Sequence, residues 1–165
     1  MKRQVKWSIF RILNYLHAAG ALSMLGLFAY EFDHMSFNSS LNFVLFILFI
    51  AGFFSVIGNA GINLLLLERY YPATMPGERI WSWGNILFVA SIIFLVIISV
   101  LFAISLQNFS PRMNYGYQMI DLLTTAFIAV ILASAIPVLW LEVMLKRTIK
   151  ANYKREMESF LTADS

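Results

Sequence analysis

The stretch Phe43–Phe54, FVLFILFIAGFF, is a run of large apolar residues with no polar face. Ile92–Phe102, IIFLVIISVLF, has the same character, broken by one serine. A helix on a soluble protein keeps a charged or polar stripe opposite its buried one. Neither run has such a stripe, so both suit an apolar medium on every side. Each lies inside a longer charge-free window, Met35–Leu67 and Ile80–Pro111, and two further windows cover Ile12–Tyr30 and Leu122–Leu141. All four meet the ~18 uncharged, mainly apolar residues that mark a membrane-crossing helix. The ~10-residue alternating segments of a transmembrane barrel do not occur. The sequence therefore predicts an all-α, integral membrane four-helix bundle, with helices over 7–30, 41–67, 82–106 and 119–145.

Composition gives the same class. The chain is 60% hydrophobic and 13% charged, against roughly 45–50% and 25% in soluble domains. That excludes an ordinary soluble domain, and the hydrophobicity excludes a disordered chain. With no cysteine, a disulfide framework and cysteine-based zinc or iron–sulfur sites are excluded as well.

Lysine and arginine sort the connections by side. The N-terminus carries Lys2, Arg3, Lys6 and Arg11, and the first loop, Glu31–Ser40, carries none. The second, Glu68–Trp81, has Arg69 and Arg79; the third, Gln107–Gln118, has only Arg112. The tail has Lys146, Arg147, Lys150, Lys154 and Arg155. This alternation predicts that both termini are cytoplasmic. All four tryptophans (Trp7, Trp81, Trp83 and Trp140) then fall at the cytoplasmic interface, where indole rings favour the headgroup region. Arg11, Asn14 and His17 interrupt the first apolar stretch and no A-x-A site ends it, so it reads as a span rather than a cleaved leader.

Residues 1–145 form one transmembrane domain and residues 146–165 a cytoplasmic tail, expected to continue the fourth helix as an amphipathic helical extension. In the tail, Ile149, Tyr153, Met157 and Phe160 recur at helical spacing and make an amphipathic stripe. It suits either an anionic lipid surface or a partner protein. The Glu68–Trp81 loop carries two Glu-Arg steps, Glu68-Arg69 and Glu78-Arg79, read as interfacial ion pairs, with a partner-docking loop as the alternative.

Polar groups inside a span are costly and each requires a reason. In the second helix Gly52, Ser55, Asn59 and Asn63 follow at steps of 3, 4 and 4 and share a face. In the first, Arg11, Asn14 and His17 cluster on one side. Together Arg11, Asn14, His17, Ser55, Asn59 and Asn63 form a polar intramembrane face. It either glues helices together or lines a solute path. In the fourth helix Pro137 predicts a kink, with Ser134 one turn earlier placed to satisfy a freed backbone group. Asp121 and Glu142 bracket that span and read as boundary residues; buried, either becomes a proton or cation site candidate. In the outer loop Glu31, Asp33 and His34, completed by Asp121, offer a weak metal or acidic cluster. Such a short stretch reads first as a solvated acidic loop, so no metal is assigned.

No Walker loop, GxGxxG, HExxH or GxSxG is present, and no cofactor or catalytic residue is assigned. The basic residues follow the positive-inside pattern, so nucleic acid is not an expected partner. The sequence predicts a small polytopic protein of a cell membrane, with a bacterial inner membrane favoured. Its expected role is a non-enzymatic accessory or scaffold subunit, contacting the lipid bilayer and other membrane subunits or copies of itself. The alternative is an oligomeric channel or transporter-like protein lined by helices 1 and 2. A third is a membrane enzyme acting through the outer acidic cluster.

Overall fold

A computed structural model describes residues 2–31, 40–72, 74–107 and 115–163. Among these the chain is helical, with no strand: α1 is Lys2–Glu31, α2 Ser40–Leu65, α3 Glu78–Gln107 and α4 Tyr115–Ala163. All four helices are long and apolar enough to cross a membrane. α2 runs into a wider turn over Leu66–Tyr70, where the Tyr71 amide donates to the Leu66 carbonyl five residues back at 2.9 Å. The turn ends as Tyr71 becomes extended ahead of Pro72, which cannot continue a helix.

Successive helices run antiparallel. α1 packs along both α4 and α2, and α2 packs along α3. α3 and α4 meet over a shorter stretch. One end of the bundle therefore gathers the start of α1, the end of α2, the start of α3 and the later part of α4. This basic end holds Lys6, Arg11, Arg69, Arg79 and the lysines and arginines of α4. Its apolar core is Trp7, Phe10, Leu66, Leu67, Val138, Leu141, Leu145 and Ile149.

The other half is built from aromatic rings. Phe53 meets Phe94 edge to face at 4.9 Å between centroids, and Phe28 stacks on Phe49 at 5.7 Å. Glycines let the helices close up. A Cβ at Gly52 would overlap the Phe94 ring, and one at Gly20 would come within 2.9 Å of Ile131 Cγ1. Gly61, by contrast, faces open space. On the outside, Ile86, Val89, Ile93 and Val96 of α3 and Ile136 of α4 are exposed. This is the surface that hydrocarbon tails require.

The helices begin and end beyond several expected bounds. α4 is continuous across residue 145 and spans 49 residues. At 1.5 Å per residue that is roughly 70 Å, more than twice the hydrocarbon core of ~30 Å. Part of α4 must therefore stand outside any membrane the bundle crosses. Pro137 lies inside this helix without ending it.

Candidate functional site

Glu142, expected at the membrane boundary, is fully buried. A glutamate near the end of a span reaches water when its helix face is open; here that face is covered by α2 and α3. A buried carboxylate is expensive unless it is paired and hydrogen-bonded, and Glu142 is both. Its Oε2 accepts from Asn59 Nδ2 at 2.7 Å and from Asn63 Nδ2 at 2.8 Å. Its Oε1 lies 2.7 Å from Lys146 Nζ, one turn further along α4.

The partners reach further groups in turn. An ammonium has three hydrogens. Besides Glu142, Lys146 Nζ reaches the Gly84 carbonyl at 3.0 Å and Asn85 Oδ1 at 3.3 Å, both on the first turns of α3. It also stands 4.8 Å from the Phe88 ring centroid. Asn63 Nδ2 donates to Asn14 Oδ1 at 3.2 Å as well, and Asn14 Nδ2 bonds back to the Phe10 carbonyl at 2.9 Å. One network thus joins all four helices. Within it, Asn59 Oδ1, Asn63 Oδ1 and Glu142 Oε1 are buried and accept no hydrogen bond, Oε1 being held by the Lys146 charge alone.

Of the six residues expected on the polar face, Asn14, Asn59 and Asn63 meet in this network. The other three lie elsewhere. Arg11 is half exposed and its Nε sits 3.5 Å from Glu68 Oε1, on the outside of the bundle. Glu68 therefore pairs across helices and not with Arg69, which lies over the Tyr70 ring at 5.9 Å. Ser55 donates to the Gly52 carbonyl of its own helix at 2.7 Å. His17 is buried, with Nδ1 2.8 Å from Ser134 Oγ of α4. The Ser134 hydroxyl points to the Val130 and Ile131 carbonyls at 2.8 and 3.0 Å. This contact joins α1 to α4 whichever imidazole nitrogen carries the proton. Ser134 therefore does not serve the carbonyl of Ala133 that Pro137 leaves free, and its partner across the helices is His17.

In the tail stripe, Ile149 is fully buried against the Trp7–Leu145 core. Asn152 Nδ2 ties α4 to the Pro72 carbonyl at 2.9 Å. Tyr153, Met157 and Phe160 are exposed, the last at 70%. The stripe is therefore divided between an anchored first turn and an open remainder. Asp33 and His34 of the outer acidic cluster, and the side chains of Glu31 and Asp121, lie outside the described residues.

Sequence reasoning named Glu142 as a site candidate only on condition of burial, and missed Lys146 and the pairing of the two. The available signal was their i, i+4 spacing, which places opposite charges on one helix face, together with the same spacing of Asn59 and Asn63. The chain matches no protein-family model, no curated protein and no solved structure.

Proposed function

We propose that this chain is a small, non-catalytic accessory or scaffold subunit of a membrane assembly, with both termini cytoplasmic and a bacterial inner membrane as its site. The reading rests on how the intramembrane polar groups are used. Asn14, Asn59, Asn63, Glu142 and Lys146 bond to one another and fix the four helices in register. Beyond them the bundle is filled by Phe28, Phe49, Phe53 and Phe94. Mutual packing of this kind favours a rigid support over a solute path. The exposed remainder of α4, with Tyr153, Met157, Phe160 and Leu161, supplies a cytoplasmic surface for a protein partner. The distribution of lysine and arginine supports the orientation.

Native mass spectrometry of the protein extracted from its own membrane in mild detergent tests the role. A partner of fixed stoichiometry, lost when Met157 and Phe160 are both changed to Ser, is the expected result. A bare monomer from wild type would overturn the proposal.

The two donor-free oxygens of Asn59 and Asn63 favour a second reading, a channel or transporter-like protein acting as an oligomer. Flux through proteoliposomes that falls in Asn63→Leu and His17→Leu variants would support it. Absence of flux in wild type removes it.

A further inference from the structure

Around Glu142 the acceptors outnumber the donors. Asn59 and Asn63 each place an amide nitrogen on Glu142 Oε2. Their carbonyl oxygens, buried and without a donor, belong to the same amides. Given amide geometry, each lies within about 5 Å of the carboxylate oxygen. A buried acceptor left unmatched is costly, and here two occur on adjacent turns of one helix. An asparagine amide can also turn, exchanging its nitrogen for its oxygen. Turned toward Glu142, the two carbonyls and the carboxylate form an all-oxygen set, the donor type preferred by hard metal cations. Asn14 Oδ1, released when Asn63 turns, adds a third neutral oxygen.

Charge sets the valence. Among the described residues Glu142 is the carboxylate of this network, and it neutralises one positive charge. The groups around it from the other helices are the neutral Asn14, Asn59, Asn63, Asn85 and Gly84 carbonyl. His17 is engaged with Ser134, and Arg11 with Glu68 on the outside. Lys146 supplies the balancing charge, and its remaining hydrogens already rest on Gly84 and Asn85 of α3. An ammonium withdrawn to those two acceptors leaves Glu142 Oε1 open.

We propose that Glu142, Asn59 and Asn63 form a binding site for one monovalent metal cation, sodium or potassium, which competes with the Lys146 ammonium for the carboxylate. This goes beyond the scaffold reading and does not require it.

The test uses the full chain in nanodiscs of zwitterionic lipid, at constant ionic strength. Sodium chloride and potassium chloride are compared with N-methyl-D-glucamine chloride, whose bulky organic cation cannot take the place of a metal ion among packed side chains. Wild type is expected to unfold at a higher temperature in at least one alkali chloride and to broaden the 23Na resonance when sodium binds. Lys146→Met removes the competitor and should tighten the apparent alkali affinity by about tenfold or more, given the strength of a contact charge in a partly buried site. If that variant does not fold, Lys146→Gln carries the same expectation. Glu142→Gln should abolish both the salt-type dependence and the 23Na broadening. Equal unfolding temperatures for wild type in the three chlorides, with no 23Na broadening, would overturn the proposal. So would an ion effect that survives unchanged in Glu142→Gln.

Discussion

At the basic end of the bundle, Asn14, Asn59, Asn63, Glu142 and Lys146 hold four helices through directed bonds of 2.7 to 3.3 Å. At the other end, Phe28, Phe49, Phe53 and Phe94 hold them through ring contacts, with Gly52 beneath Phe94. In lipid the second kind of contact gains no hydrophobic driving force, because the acyl tails are as apolar as the rings. It depends on close fit alone. The first kind depends on every partner being present. The polar half should therefore be sensitive to deletion of a group, and the aromatic half to addition of one.

The largest effect is expected from Lys146→Met in N-methyl-D-glucamine buffer. It leaves the Glu142 carboxylate buried beside two amides with no counter-charge. Breaking a buried ion pair in this way costs about 3–5 kcal/mol. Thermal unfolding in detergent should show the loss, and the double variant Lys146→Met/Glu142→Leu should recover a large part of it, because the stranded charge is gone. A single variant as stable as wild type would mean that the pair does not hold the helices together.

The aromatic half can be probed by a single methyl group. Gly52→Ala drives a Cβ into the Phe94 ring and is expected to cost about 1–3 kcal/mol, the usual range for overpacking. Phe94→Leu in the same chain should relieve it. Gly61→Ala is the control, since its Cβ would meet nothing within 4 Å. It should leave stability unchanged or raise it by up to about 1 kcal/mol through helix propensity. Equal losses at Gly52 and Gly61 would break the contrast between the two halves.

How much of this was legible follows from what each feature depends on. The spans could be read from charge-free windows, because the bilayer acts on each helix separately. The face of Gly52, Asn59 and Asn63 could be read from spacing, because it belongs to one helix. What that face meets could not. Its Gly52 level lies against Phe94 of α3, whereas its Asn63 level lies against Glu142 of α4. Helix crossing sets this difference, and no periodicity within α2 encodes it. Glu142 was misplaced for the same reason: a glutamate at a span end suits the interface on its own helix, and the packing of α2 and α3 over it had to be known to bury it. Arg11 shares a side with Asn14 by spacing, yet its long side chain turns outward to Glu68. The helical continuation past residue 145 could be read from the spacing of Ile149, Tyr153, Met157 and Phe160, because it too belongs to one helix.

The smallest effect is expected midway between the two regions, at the His17–Ser134 contact. Ser134→Ala removes the imidazole's partner on α4 while leaving the helix backbone able to bond as before. Interhelical hydrogen bonds in membranes average about 0.6 kcal/mol, and the loss at Ser134 should fall near that value. Ser55→Ala is the reference, because the Ser55 hydroxyl bonds within its own helix at the Gly52 carbonyl and its removal should cost less. The pair of variants sharpens where the polar half ends. A neutral link between α1 and α4 gives the small loss expected, and it would be additive with Lys146→Met, since independent sites add. A loss at Ser134 as large as that of Lys146→Met, or one that vanishes in the Lys146→Met background, would instead join His17 to the charged network and extend that network a further turn toward the phenylalanines.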